Sequence, residues 1–150
     1  MKSLSVIFFI FMSVSSWAAN ELPTTVSVDG QLYQDNTGTD PLLDSHARIR
    51  LQILNGDKTC VLYEEQQYVD TTLTKGAFSL QLGSQVGSGK RVAGSDPGNS
   101  MVAVYQNTVA VPATGCAGNS SPAVAYSKRY IRMFLLKTGG TEEALSLIHI

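Results

Sequence analysis

Histidine, cysteine and clustered positive charge are scarce in this 150-residue chain, and each scarcity excludes a class of function. The sequence has two histidines and two cysteines, and none of them has a second such residue at zinc-ligand spacing. Lysine and arginine number 11 against 12 acidic residues, and they are scattered along the chain rather than grouped in a stripe. We therefore expect neither a metal site nor a nucleic-acid partner.

Motifs that carry catalysis are also missing. Outside residues 144–150 the only histidine is His46, which follows Asp44 and Ser45, and three consecutive residues do not place their side chains in triad geometry. The run Gly87-Ser88-Gly89-Lys90 lacks the spacing of a phosphate-binding loop. The carboxylates do not follow a calcium-loop pattern. The sequence therefore predicts a protein that is not an enzyme, with no catalytic residue and no cofactor.

The N-terminus has the features of a secretory signal peptide. Lys2 supplies a positive charge, and Leu4–Val14 form an apolar run that is too short to span a membrane. Ser16-Trp17-Ala18 fits the small-x-small cleavage pattern, which predicts a signal peptide over residues 1–18. Cleavage after Ala19 and a buried N-terminal helix are the alternatives. We therefore expect an exported protein, in the periplasm, on the outer surface or outside the cell, with no transmembrane segment in the mature chain.

The C-terminus ends on the apolar run Ala144-Leu145-Ser146-Leu147-Ile148-His149-Ile150. This run resembles the translation of a sequencing adapter, so we expect residues 144–150 to be a non-native tail and the natural protein to continue beyond Glu143. The alternative is a genuine C-terminal β-strand. Residues 19–143 form one predicted β-sandwich domain, which is long enough to bury its own core.

Segments of alternating apolar and polar residues indicate the fold. Residues 47–53 place alanine, isoleucine and leucine on one face and arginine and glutamine on the other, and Asn55-Gly56 is a hairpin turn before a returning strand at Cys60–Val69. Because Glu64–Gln67 make the middle of that strand polar, we expect its outer part to be solvated. Further strands are predicted at residues 25–33, 77–82, 109–111 and 126–136. This pattern is typical of an all-β, antiparallel Greek-key β-sandwich (prealbumin-like) with about seven strands.

One short segment has the features of a helix. Asp96 can cap its N-terminus and Pro97 suits the first helical position, which predicts a helix over residues 97–106. The alternative is a strand over Met101–Tyr105, because the two valines in this segment are β-branched.

The two cysteines, Cys60 and Cys116, allow a single disulfide. An even cysteine count in an exported chain favours that pairing. Closing a loop of this length stabilises a fold by about 4 kcal/mol in the chain-entropy account. The alternative is two free buried thiols.

A candidate binding rim lies in the loop from Gly83 to Gly98, which is rich in glycine and serine. Loops at the end of a sandwich commonly carry binding residues. Lys90 and Arg91 lie in this loop, and Tyr105 follows it closely. These three residues are the predicted rim of a carbohydrate or peptide site, for which an exposed platform of tyrosines is expected.

Several segments resemble known families. The carboxypeptidase-regulatory-like, transthyretin-like sandwich is matched by Val28–Leu32, Asp40–Leu42, Ala47–Leu51 and Lys75–Leu80. A closer match, to the N-terminal domain of fibre-type (adhesin-like) surface proteins of predatory bacteria, is carried by Leu51–Leu54, Thr59–Glu65 and Gly76–Leu80. In those proteins a signal peptide and a small sandwich domain precede a trimeric fibre shaft and a tip that contacts prey cells.

The fibre resemblance implies a non-enzymatic N-terminal structural or adhesion module of an exported surface fibre. It also implies a homotrimer formed through a fibre beyond residue 143, and a cell-surface or glycan ligand. The alternative function is a secreted carbohydrate- or peptide-binding β-sandwich module.

Overall fold

The chain forms antiparallel β-sheets and one short helix in this computed structural model, which describes residues 24–35, 37–84, 90–106, 109–122 and 128–149. The signal peptide predicted at residues 1–18 lies outside the described residues. In the described part the strands are β1 (Val26–Gln31), β2 (Ala47–Leu54), β3 (Val61–Val69), β4 (Ala77–Leu82), β5 (Lys90–Arg91), β6 (Val111–Pro112), β7 (Ser120–Ser121), β8 (Tyr130–Leu136) and β9 (Glu142–His149), and the helix is α1 (Met101–Gln106).

A five-stranded antiparallel sheet lies at the centre of the described part, with its strands in the order β5-β3-β2-β8-β9. β1 pairs with β4 in a second antiparallel sheet, and β6 pairs with β7. Val28 and Leu80 of the β1–β4 pair share one hydrophobic core with Ile49 and Met133 of the central sheet. The protein is therefore an all-β antiparallel sandwich with one short helix, and the predicted fold class is confirmed.

Strand β2 follows the alternation of its sequence. Ile49, Leu51 and Ile53 are fully buried, each 0% exposed. In the neighbouring strand β8, Ile131 and Met133 are buried opposite Ile53 and Leu51. Burial of one such side chain contributes about 1.5–3 kcal/mol by removing apolar surface from water. These two strands therefore form the central part of the core.

The middle of β3 differs from its prediction. The polar sequence Glu64–Gln67 predicts a solvated strand, and this is wrong, because Glu64 is 0% exposed, Glu65 2% and Gln67 8%. β3 is an inner strand of the central sheet, with β2 on one side and β5 on the other. The surrounding protein covers its polar side chains, and hydrogen-bond donors within the fold contact both carboxylates.

Helix α1 begins later than the sequence predicts. Asp96, the predicted N-cap, instead accepts hydrogen bonds from Arg91 of β5. Ser100 caps the helix, since its hydroxyl oxygen accepts the backbone N–H of Ala103 at 3.2 Å. The helix then covers Met101–Gln106, where the alternative prediction was a strand. No helix in the described ranges has the length and apolar character needed to cross a membrane.

Strand β9 occupies one edge of the central sheet. It pairs with β8 along its length, from Glu142 opposite Leu136 to His149 opposite Tyr130. Residues 144–149 therefore have the β-strand conformation expected under the alternative prediction, a C-terminal strand. The prediction that residues 144–150 are a non-native tail concerns their origin, and it stays a prediction.

Gly76 holds a close crossing between two segments of the chain. Its φ is +90°, and a Cβ at this position would lie 2.3 Å from the carbonyl oxygen of Leu32. The Leu32 N–H also donates to the Gly76 carbonyl at 2.9 Å. Gly76→Ala is therefore expected to lower the free energy of unfolding by about 2 kcal/mol, through the left-handed backbone and the backbone clash together. Urea unfolding followed by circular dichroism measures this loss.

Gly94 provides a matched control for that substitution. Its φ is +87°, almost the same as at Gly76, but no atom lies within 4 Å of a Cβ built there. Gly94→Ala therefore introduces the same backbone strain without the clash, and its expected loss is about 1 kcal/mol. Equal losses in the two variants would contradict a role for the close approach of Leu32.

Candidate binding pocket beside Tyr63 and Arg91

A carboxylate lies on the core face of β3. Tyr63, Glu65 and Gln67 are spaced two residues apart along the strand, so their side chains lie on one face of the sheet. On that face Tyr63 and Glu65 are the cross-strand neighbours of Ile53 and Leu51 of β2. The Tyr63 hydroxyl donates to Glu65, and the Gln67 amide donates to it at 2.6 Å. A third hydrogen bond, at 3.0 Å, comes from the backbone N–H of residue 83. Glu65 is therefore stabilised by neutral donors.

Tyr63 acts as a hydrogen-bond donor in this cluster. Burial, followed by the hydrogen bond to Glu65, raises the pKa of the Tyr63 hydroxyl well above its usual value. The phenol therefore keeps its proton across the physiological pH range. It orients the carboxylate and is unsuited to the role of a base.

Arg91 covers the ring of Tyr63 and fixes the loop that follows β5. Its guanidinium carbon lies 3.8 Å from the centre of the Tyr63 ring. Two of its nitrogens donate to the Asp96 carboxylate, at 2.8 and 2.6 Å, and the third donates to the Asn99 carbonyl at 2.9 Å. Asp96 also accepts the backbone N–H of Glu64 at 2.9 Å, which ties the loop to β3. Arg91 therefore has a structural role, although its side chain remains 29% exposed.

A pocket of about 200 Å³ opens beside this stacked pair. Tyr63 and Arg91 contribute to its lining, together with Ser100 and the first residues of α1. The residues that line it are Thr24, Tyr63, Gly83, Arg91, Ser100, Met101 and Val102. The pocket therefore combines an arginine, a serine hydroxyl and apolar side chains within a small volume.

Of the predicted rim residues, the structure places Arg91 at this pocket. Lys90 pairs with Gln66 through the backbone of β5, and its side chain lies outside the described residues. Tyr105 lies farther along α1 and does not line the pocket. Its hydroxyl is buried without a hydrogen-bond partner, and burial raises its pKa to about 12, although the charge of Arg129 acts in the opposite direction. Tyr105 is therefore partly buried and packs against the hydrophobic core.

The exposed platform of tyrosines expected for a carbohydrate or peptide site is not found among the described residues, so that prediction is wrong for the described tyrosines. Tyr33 follows β1, Tyr105 lies on α1 and Tyr130 begins β8. Tyr63 and Tyr68 are five residues apart on β3, which places them on opposite faces of the sheet. Of these two, Tyr63 is 1% exposed and Tyr68 is 50% exposed. A sixth tyrosine, at position 126, lies outside the described residues.

A second charged cluster joins four strands on the other face of the central sheet. Arg50 of β2 donates to Glu64 of β3 and to Glu142 of β9, and its guanidinium carbon lies 3.9 Å from the centre of the Phe134 ring of β8. Hydrogen bonding to Arg50 holds the pKa of Glu142 below its usual range, although partial burial acts in the opposite direction. We call Arg50, Glu64, Phe134 and Glu142 the four-strand clamp. Its contacts hold the sheet together.

The residues Asp44, Ser45 and His46 do not adopt a triad geometry. Ser45 Oγ lies 2.9 Å from His46 Nδ1, but Asp44 accepts the backbone N–H of His46 rather than a hydrogen bond from the ring. Asp44 also accepts the Thr138 backbone N–H at 2.7 Å, which connects two loops. Burial raises the pKa of Asp44, but its hydrogen bonds lower it further, so the net pKa is below the usual value. No group of three or more His, Cys, Asp or Glu side chains within the described ranges is arranged to hold a metal ion.

The predicted disulfide between Cys60 and Cys116 is confirmed. Their Cα atoms lie 5.0 Å apart, and the bond joins the start of β3 to the loop between β6 and β7. Cys60 is 4% exposed and belongs to the hydrophobic core. The bond therefore anchors a surface loop to the interior.

Sequence reasoning missed the pocket residues Ser100, Met101 and Val102, and it included Tyr63 only among the tyrosines of an exposed platform. One signal was available, because Tyr63, Glu65 and Gln67 recur at the spacing of two that places residues on one strand face. The pairing of this face with the apolar face of β2 depends on the hairpin register, which the Asn55-Gly56 turn alone does not fix.

Comparisons with protein-family models, with curated proteins and with solved structures found no match. The resemblance to fibre-type surface proteins therefore stays a prediction.

Proposed function

We propose that this chain is a non-enzymatic structural and adhesion module, the N-terminal sandwich of an exported surface fibre. The observation that carries the proposal is the disulfide between Cys60 and Cys116, in a chain that begins with a predicted signal peptide. Disulfides form and persist in oxidising compartments outside the cytoplasm. A bond from the core to a surface loop suits a module that has to keep its shape there.

The roles of the charged side chains support the structural part of this proposal. Arg50 connects Glu64 and Glu142 across the central sheet, and Arg91 with Asp96 fixes the loop after β5. These groups stabilise strand pairing and loop conformation. Their positions are those of a scaffold that holds its surfaces in place.

The adhesion part rests on the resemblance of segments such as Thr59–Glu65 to the fibre-type proteins. In that setting the sandwich anchors the fibre or starts its assembly, and trimerisation takes place through the shaft. The ligand of such a fibre is a cell surface or its glycans.

Sequencing the genomic DNA downstream of the codon for Glu143 tests this proposal. We expect genomic DNA downstream of the codon for Glu143 to encode repetitive β-strand sequence, and the longer protein to be a trimer by light scattering. The control is the chain ending at Glu143, which is expected to be a monomer because trimer contacts come from the shaft. A stop codon directly after Glu143, together with a monomeric product, would contradict the fibre proposal.

The alternative function, a secreted binding module, is favoured by one observation. The lining of the pocket beside Tyr63 and Arg91 combines polar side chains, Arg91 and Ser100, with the apolar side chains of Met101 and Val102, as small-molecule sites usually do. This function requires no fibre.

A further inference from the structure

The pocket beside Tyr63 and Arg91 contains hydrogen-bond donors for which the described residues supply no acceptor. A guanidinium has five N–H donors. Asp96 takes two of those of Arg91 and the Asn99 carbonyl takes one, so two remain. Ser100 accepts a backbone N–H through its hydroxyl oxygen and keeps its own hydrogen. A ligand in this pocket therefore has to present acceptor oxygens at two places, one for Arg91 and one for Ser100.

The charge of the pocket does not favour an anion. The Asp96 carboxylate lies within 2.6 Å of the Arg91 guanidinium and neutralises it. The carboxylate of Glu65 lies beneath Tyr63, where its hydrogen bonds come from neutral groups. An anionic ligand near Arg91 would be repelled by the carboxylates of Asp96 and Glu65. The acceptor oxygens of the ligand therefore belong to neutral groups.

Size and the apolar wall restrict the ligand further. The volume of about 200 Å³ lies below the range of roughly 300–1,000 Å³ that is usual for sites of drug-sized ligands. One ring fits such a space, whereas a dinucleotide or a folded peptide does not. Met101 and Val102 contribute apolar side chains to the same lining. A sugar ring has this combination, with hydroxyl oxygens at its edge and apolar C–H groups on its face.

We propose that the pocket binds one neutral hexose ring of a glycan. Two neighbouring hydroxyl oxygens accept hydrogen bonds from Arg91 and Ser100, and the C–H face of the ring packs on Met101 and Val102. A peptide is less suited, because its carbonyl oxygens lie on successive residues, whereas a sugar carries neighbouring hydroxyl oxygens on one ring. This inference rests on the binding-module alternative and is independent of the fibre proposal, which is tested by gene length and oligomeric state.

Titration of the secreted, ¹⁵N-labelled chain tests the site and the ligand class together. The probes are the methyl glycosides of glucose, galactose and mannose, with methyl glucuronide as the matched acidic ring and N-acetylalanine amide as the peptide probe. At least one neutral glycoside is expected to shift the amide signals of Gly83, Arg91 and Val102. The glucuronide and the peptide probe are expected to bind more weakly.

A blocked pocket provides the decisive variant. Val102→Trp fills the space and is expected to weaken binding roughly tenfold or more. Val109→Trp is the control, because Val109 is 61% exposed and lies outside the pocket, so its binding is expected to match the wild type. If Val102→Trp does not fold, the wild-type shift map alone decides the location. Tighter binding of the glucuronide or of the peptide probe, shifts elsewhere, or no binding of any neutral glycoside would each overturn the inference.

Discussion

Arg50→Leu is expected to lower the free energy of unfolding by about 3–5 kcal/mol. Arg50 is the cation that contacts Glu64, whose side chain is 0% exposed. Without Arg50, the hydrogen bond from Gln52 at 3.1 Å remains on the same carboxylate oxygen, while the second oxygen of Glu64 is buried without a partner. A buried charge that loses its counter-ion destabilises a fold strongly, because the low-dielectric interior replaces water around it. Urea unfolding at neutral pH measures the change.

Arg48→Leu is the matched control for this effect. Arg48 lies two residues away on the same face of β2, but its ion pair with Glu142 is longer, at 3.7 Å, and both side chains are partly exposed. Its loss is expected to be below about 1 kcal/mol. A double substitution that replaces Arg50 and Glu64 with leucine is expected to recover much of the stability, since it removes both charges. If Arg50→Leu and Arg48→Leu lost similar amounts of unfolding free energy, leaving the buried Glu64 without its cation would not be especially destabilising.

Removing the disulfide is expected to lower the free energy of unfolding about as much as Arg50→Leu does. Replacing Cys60 and Cys116 with alanine opens a loop with a sequence separation of 56 residues. The expected loss of unfolding free energy is about 4 kcal/mol, because the unfolded chain regains conformational freedom. Urea unfolding of the wild type and of the double variant measures it, with each protein examined with and without reductant.

The reductant provides the control for this second experiment. The wild type is expected to lose stability when its disulfide is reduced, whereas the double alanine variant is expected to be insensitive. Mass spectrometry after thiol alkylation without reductant is expected to find no label on Cys60 or Cys116 of the wild type. Labelling of both residues would show that the bond does not form in the protein.

Local patterns were sufficient for strands β2 and β4 and for the disulfide. Residues 47–53 alternate so regularly that one face has to be buried, and the observed strand β2 covers them. The glycine before Ala77–Leu82 and the alternation within that segment likewise match β4. Cys60 and Cys116 have a single pairing, so their bond required no knowledge of the fold.

Non-local contacts account for most of what the sequence did not reveal. Arg50 and Glu142 are 92 residues apart, and nothing near either residue indicates that they meet. The burial of Glu64 depends on the position of β3 inside the sheet, which follows from the pairing of β5 with its outer edge. Local propensity also misplaced the helix start, because Asp96 is held by Arg91 and is not available as a cap. The pocket was missed for the same reason, since its walls come from β3, β5 and α1.

The disulfide also determines how the molecule responds to a pulling force. When both ends of the chain are pulled, the force passes through the bond, and the residues between Cys60 and Cys116 cannot extend. That segment contains β3, β4, β5, α1 and β6, and its separation of 56 residues corresponds to an extended length on the order of 190 Å. The oxidised protein can therefore yield only through the segments before Cys60 and after Cys116. Under load the chain would lengthen far less in the oxidised form than in the reduced form, so its compliance depends on the redox state of its surroundings.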